Sequence, residues 1–323
     1  MRWIIVTEEG IYSSIFSELF FDVLKQKNVL ICNQYLADSG IKKRCISILL
    51  KRRVDKILNG CVDLLLQPHY ELYNFFSCTD INIVVFLNAA FQKIYTERRL
   101  KKIKNKFPNT KFILLFVDAV FQKQAKNAFG LTNRNLFDLI YTFDRNDANK
   151  YGFIYMNTPY SKTFDYSLGE GVYFCGSDKG RTKELIEIAK RLSELKVKYQ
   201  FDVYGNEELS NSYFKVRKSG YKKYTDIVLK TLEFNCIIDL VQKGRKADTG
   251  LSLRVYEATV YNKVLITNNI NILDYQFYNP LYMHYIEDAS NIKMEWIFDT
   301  ADYRYNNEFS PTHFFENIYE RIK

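Results

Sequence analysis

Short apolar runs rich in β-branched residues alternate along the chain with amphipathic, charge-bearing stretches. Trp3 to Val6 reads as a buried strand, and 12–26 as a helix with Ile15, Leu19, Phe20, Val23 and Leu24 on one side. Val29 to Cys32 is a second strand, 41–59 a basic helix, Ile83 to Leu87 a strand and 91–106 another helix. KFILLFV at 111–117 and Leu139 to Phe143 add two more strands. Continuous apolar strands separated by helices predict a parallel sheet covered on both faces.

The rhythm breaks after Tyr151, where YMNTPYSKTFDYSLGEG sets Pro159, Gly169 and Gly171 among polar and aromatic residues, and a domain boundary is expected there. The pattern then restarts. Strands are expected at Val172 to Cys175, Tyr199 to Tyr204, Cys236 to Val241 and Lys263 to Thr267. Helices are expected at Thr182 to Leu195, Tyr224 to Glu233, Leu251 to Tyr261 and 311–322. The expectation is α/β, with two Rossmann-like, doubly wound domains. The first covers 1–160, the second 161–310, and a C-terminal helix at 311–323 packs back on the first.

Composition narrows the functional classes. At about 150 residues per domain, 323 residues hold roughly two. A chain 47% hydrophobic and 26% charged is not a disordered one, and 13 Gly with 5 Pro exclude collagen-like or elastic chains. Lys and Arg number 46 against 37 Asp and Glu, so the net charge of +9 favours anionic company: phosphates, nucleic acid or acidic lipid. The six cysteines (Cys32, Cys45, Cys61, Cys78, Cys175 and Cys236) form no C-x-x-C pair. They read as reduced thiols of a cytoplasmic protein, with no zinc-ligand spacing. MRWIIVTEEGIYSSIF lacks the pattern of a signal peptide and no long uncharged apolar stretch occurs, so any membrane contact is expected to be peripheral. Basic stretches at 42–56 and 98–106 read as solvated helix faces or as a dock for anionic lipid. Nucleic acid is not expected as a partner, because the basic residues are divided between helices and no nucleic-acid-binding signature appears.

Ligands of parallel sheets bind beyond the carboxyl ends of strands. The sharpest local signal there is VYFCGSDKGR at 172–181, which leads at once into a helix. Gly176 and Gly180 allow a tight turn, the helix N-terminus offers free N–H groups, and Lys179 and Arg181 add cations, a combination suited to a pyrophosphate. A polar, basic loop after Val241 enters a second helix at Thr249-Gly250, and Arg254 and Glu257 share a face of it. A carboxylate there suits ribose hydroxyls and an arginine suits a phosphate. His69, His284 and His313 are scattered and lack metal-ligand spacing.

The order of these pieces resembles the bacterial glycosyltransferases of lipopolysaccharide and capsular polysaccharide synthesis with the GT-B fold. The resemblance rests on GSDKGR, a strand ending YG, IIDLVQ, TGLSLRVYEA and NKVLITNN, with YTFDRNDANKYG in the first half. It covers mainly 111–280. It implies two domains facing a central cleft and a hexosyltransferase-like enzyme that takes a nucleotide-sugar, UDP-linked, without a metal or other cofactor. The acceptor is then a lipid-linked or oligosaccharide surface glycan, met in the cytoplasm or at the inner face of the membrane. Glu257 matches the ribose-binding Glu of the family's E-x7-E pattern, whereas Thr249 stands where its first Glu would be. The donor site implied comprises Gly176, Ser177, Lys179, Arg181, Thr249, Gly250, Leu251, Ser252, Arg254 and Glu257, with Arg181 and Arg254 stabilising the leaving diphosphate. Asp118, just past a strand end, is the candidate general base. The competing expectation is a non-catalytic scaffold or partner subunit with a vestigial donor site.

Overall fold

The computed structural model describes the chain except residues 8–10, 34–47, 49–71, 73–74, 77–79, 93–94, 219, 221 and 242–249. The basic helix expected at 41–59, apart from Ile48, lies outside the described residues, as do His69, Thr249, Cys45, Cys61 and Cys78. The chain divides into two compact units, Met1–Pro159 with Pro311–Lys323, and Tyr160–Ser310. Each unit is built on one parallel six-stranded sheet with helical crossovers. Both sheets are therefore doubly wound α/β layers of the kind the apolar strand runs predict.

In the first unit the strands are β1 (Arg2–Thr7), β2 (Val29–Asn33), β3 (Asn82–Leu87), β4 (Thr110–Phe116), β5 (Leu139–Thr142) and β6 (Ile154–Tyr155), ordered β2-β1-β3-β4-β5-β6. Val84, Phe86, Phe112, Leu114 and Phe116 fill one core, with Phe86 edge-on to Phe112 at 5.2 Å. The helix expected at 12–26 divides into Ile11–Leu19 and Phe21–Leu24, and the break lets Phe20 sink to 1% exposure. The helix expected from 91 begins at Glu97, because the Thr96 side chain accepts from the Arg99 amide and caps it there.

The last helix, Pro311–Ile322, belongs to this unit. Proline at its first position needs no amide partner. Phe315 stacks on Trp3 of β1 at 4.1 Å, Phe314 meets Tyr141 edge-on at 5.3 Å, and the Tyr141 hydroxyl donates to Asn317 at 2.8 Å. Burial pushes the Tyr141 phenol up to about 12.

In the second unit the strands are β7 (Val172–Ser177), β8 (Tyr199–Tyr204), β9 (Val216–Arg217), β10 (Cys236–Asp239), β11 (Val264–Thr267) and β12 (Met283–Tyr285). Their order, β9-β8-β7-β10-β11-β12, is that of a dinucleotide-binding sheet, with the switch point between β7 and β10. Phe174, Val203, Ile238 and Ile266 lie in its core. The glycines before β7 are required by close approach. A Cβ on Gly169 would stand 2.2 Å from the Phe234 main chain, and one on Gly171, at φ +85°, 2.2 Å from the Lys198 carbonyl oxygen.

Lys263, fully buried, fastens the entry segment to this unit: its ammonium donates to the carbonyls of Ser167 at 2.7 Å and Leu232 at 3.0 Å. Burial lowers its pKa to about 8. The unfolded chain keeps that proton up to about pH 10.4, so between 8 and 10.4 it holds more protons than the native state and stability rises with pH. Wild type is expected to gain about 3 kcal/mol relative to Lys263→Met across that window. Urea unfolding of both proteins at pH 8, 9 and 10 measures the difference. A constant gap would mean that Lys263 titrates as it does in water.

Candidate functional site

The carboxyl ends of β7 and β10 form the switch point, and the polar groups gathered there stand in two clusters. Gly176 and Ser177 end β7, and Asp178, Lys179, Gly180 and Arg181 make the turn into helix Thr182–Glu194. Lys179 and Gly180 both have left-handed backbones, at φ 44° and 81°. The Asp178 carboxylate folds back over this turn. It accepts from the Gly180 amide at 2.9 Å, from the Thr182 hydroxyl and from the Thr182 amide. Burial raises the Asp178 pKa, but these hydrogen bonds outweigh it and hold the group below the usual carboxylate range. The helix start expected to receive a pyrophosphate thus holds the chain's own carboxylate.

Arg181 does a second structural job. Its Nη1 donates to the Leu240 carbonyl at 2.6 Å, its Nε to the Asp178 carbonyl at 3.1 Å and its Nη2 to the Ser177 carbonyl. The guanidinium ties the ends of β7 and β10 together across the switch point and lies 5.5 Å from the Phe174 ring. Gly176 gives it room, since a Cβ there would come within 3.4 Å of Nη2.

The second cluster stands on helix Leu253–Val260. Ser252 caps it, accepting from the Arg254 amide at 3.2 Å and donating to Asp239 at 2.7 Å. The other Asp239 oxygen accepts from Thr267 at 3.0 Å, so this buried carboxylate joins β10, β11 and the helix start. Gly250 is half-buried and Leu251 buried just before the cap. Arg254 and Glu257 do share a helix face, but it turns inward. Glu257 is fully buried, and one oxygen, Oε1, accepts from Arg254 Nη1 and from the Tyr224 hydroxyl at 2.7 Å. Arg254 Nη2 donates to the Cys175 carbonyl of β7 at 2.9 Å. Tyr160 extends the chain, its hydroxyl 3.2 Å from that of Tyr224. Burial pushes the Glu257 carboxyl up against the pull of Arg254. Its Oε2 is buried with no hydrogen-bond partner among the described residues.

Asp118 stands apart, in the first unit. It follows β4 and accepts from the Asn88 amide at 2.9 Å, while Asn88 Oδ1 takes the Val117 amide at 2.7 Å. Nearby, Asp144 caps helix Arg145–Tyr151 by accepting from the Asp147 amide, and Asp147 holds the Val120 amide. The structure therefore gathers Gly176, Ser177, Lys179, Arg181, Gly250, Leu251, Ser252, Arg254 and Glu257 into the second unit and leaves Asp118 in the other.

Sequence reasoning passed over Asp178, Asp239, Tyr224 and Tyr160. Asp178 was legible: Asp-x-Gly-x-Thr before an amphipathic run is a turn-and-cap pattern. Tyr224 and Tyr160 reach Glu257 across 33 and 97 residues, and nothing local marks them. His284 is buried and stacked on Trp296 at 4.2 Å, and burial lowers its pKa to about 4. Among the described residues no group of three or more His, Cys, Asp or Glu is placed to hold a metal ion, and no helix is long and apolar enough to cross a membrane.

No protein-family model matches the chain, and no curated protein sequence does. Solved structures similar to it include a UDP-glucosyltransferase from Polygonum tinctorium capable of glucosylating indoxyl, in complex with 3,4-dichloroaniline. The identity is 11% over 82% of this chain and 79% of that one, with a TM-score of 0.42. A second is UGT2 of Phytolacca americana with UDP-2-fluoro-glucose and pterostilbene, at 9% identity over 94% and 88% and a TM-score of 0.47. A third is S. aureus MnaA with UDP, at 10% identity over 100% and 96% and a TM-score of 0.49. The α/β class of this chain stands on its own two parallel six-stranded sheets.

Proposed function

We propose that the chain is a glycosyltransferase that takes a nucleotide-sugar, UDP-linked, and moves the sugar to a lipid-linked or oligosaccharide surface glycan without a metal. The work is done in the cytoplasm or at the inner face of the membrane. The observation that carries the donor reading is Glu257. One carboxylate oxygen is held by Arg254 and Tyr224, and the other is buried without a partner among the described residues. Buried acceptors are almost always satisfied, and vicinal ribose hydroxyls are donors that suit this one. That oxygen is buried, so donor binding is coupled to a local rearrangement that exposes it.

In this reading Lys179 and the main-chain amides of Gly250 to Ser252 receive the diphosphate. Arg254 supplies positive charge where the leaving group gains negative charge. Arg181 acts as a positioning residue, holding β7 to β10. Asp118 is the proposed base for the acceptor hydroxyl. Thermal unfolding against UDP, GDP, CDP, ADP and their sugar adducts tests the donor site. At 100 times its dissociation constant a ligand stabilises by about 2.7 kcal/mol. UDP and a UDP-sugar are expected to raise the melting temperature and the other bases are not. No shift with any of them would remove the donor site.

A second reading, a non-catalytic partner subunit with a vestigial donor site, is favoured by Asp178 and Arg181. The first fills the helix N-terminus and the second spends three nitrogens on main-chain carbonyls. Nucleotide binding with no release of UDP from any UDP-sugar and glycan acceptor would select it.

A further inference from the structure

The second unit holds a pocket of about 260 Å³ that the donor reading does not use. It lies where helix Leu253–Val260 has run its length and the chain approaches the amino ends of β11 and β12, marked by Thr259 at the end of the helix and by Asn279 and Pro280 before β12. The nucleotide candidate lies at the carboxyl ends of the same sheet. The two are therefore at opposite ends of the unit.

The pocket walls are aromatic: Phe277, Tyr278, Tyr303, Tyr305 and Phe309. Four of these rings, Phe277, Tyr303, Tyr305 and Phe309, are fixed by ring contacts or hydrogen bonds. Phe277 meets Phe309 edge-on at 4.9 Å, Phe309 lies 5.5 Å from Tyr305, and both Phe277 and Phe309 rest on buried Tyr256. The Tyr303 hydroxyl donates to the carbonyls of Lys263 and Tyr282, each at 3.1 Å, so that ring is held as a wall. The polar members are Gln276, Asn279 and Glu308. Their main-chain duties are partial: Asn279 Oδ1 accepts from the Leu281 amide and Glu308 Oε2 from the Asn306 amide, and each side chain has a further polar atom besides the one so engaged.

Fixed aromatic faces beside amide and carboxylate groups match one ligand chemistry. A sugar ring has a C–H face that stacks on aromatic rings and a rim of hydroxyls that both donate and accept. A purely apolar ligand would strand the amides and the carboxylate. An anionic one would be repelled by Glu308, the only charged residue of the lining among the described residues. The volume lies just below the roughly 300–1,000 Å³ of pockets for drug-sized molecules, which suits one or two sugar rings. From this geometry we infer that the pocket is a saccharide-binding subsite for a neutral oligosaccharide, independent of the nucleotide.

Saturation-transfer NMR with cellotriose, chitotriose and maltotriose tests it on the full chain. At least one trisaccharide is expected to give a signal that persists in saturating UDP. It is expected to disappear in the double variant Gln276→Ala, Tyr278→Ala and to weaken in Glu308→Ala. These side chains lie at the surface or half-exposed, so an unchanged melting temperature certifies each variant. Silence from all three sugars overturns the inference, as does a signal that UDP displaces or that survives the double substitution. Nucleotide-induced stabilisation reads the donor site separately, so either proposal can fail alone.

Discussion

Glu257→Ala is expected to destabilise the protein by about 3–5 kcal/mol, the usual cost of stripping one partner from a buried ion pair. The substitution leaves the Arg254 guanidinium facing a void and the Tyr224 hydroxyl without its acceptor. The sequence alone suggests a gentler result, weaker nucleotide binding in an intact fold, because the resemblance assigns Glu257 to the ribose of a donor. Burial changes the expectation: the residue holds the second unit together before any ligand arrives. Glu257→Gln keeps an oxygen for both donors but leaves the Arg254 charge uncompensated, and is expected to cost less than Glu257→Ala while remaining destabilising. Replacing both partners, Arg254→Met with Glu257→Leu, is expected to recover most of the loss, since matched apolar groups strand no charge. Urea unfolding of the three variants reads this directly. A Glu257→Ala protein as stable as wild type would show that the pair is hydrated and its charges screened.

The contrast marks what a sequence reveals. Strands such as Ile83 to Leu87 and KFILLFV were legible because burial on both faces leaves an unbroken apolar run, and helix Thr182–Glu194 because one face carries Leu185, Ile188, Ala189 and Leu192. β6, β9 and β12 were not, because two or three residues at a sheet edge carry no pattern. Within the site, spacing put Arg254 and Glu257 on one face and could not say whether that face looks in or out. The answer lies with Tyr224, Tyr160 and Cys175, brought there by tertiary folding. GSDKGR read as an anion cradle from its glycines and cations, while its aspartate was already the anion.

Truncation after Ser310 is expected to prevent the first unit from folding, while the second keeps its cooperative transition. The lost helix covers Trp3 and Tyr141 through Phe314 and Phe315, and Ile318 is fully buried beside them. Burying three such side chains is worth about 5–9 kcal/mol, comparable to the 5–15 kcal/mol that holds a whole domain. Phe315→Ala alone is expected to cost about 3–5 kcal/mol. Two-step urea unfolding, read by near-UV circular dichroism, separates the units: Trp3 reports the first and Trp296 the second. A truncated chain with both transitions intact would show that the helix is an ornament of the sheet.

Because the first unit is written in two pieces, it is finished only by 311–323, which are synthesised after the whole of the second unit. Its sheet must wait, Trp3 and Tyr141 without the helix that covers them, while all of 160–310 is synthesised, on the order of 8–30 s at 5–20 residues per second. The inserted unit has no such wait and can close as it emerges. Birth order therefore inverts chain order: the half that begins first matures last. A nick or substitution within 311–323 therefore acts on the sheet built by 2–155.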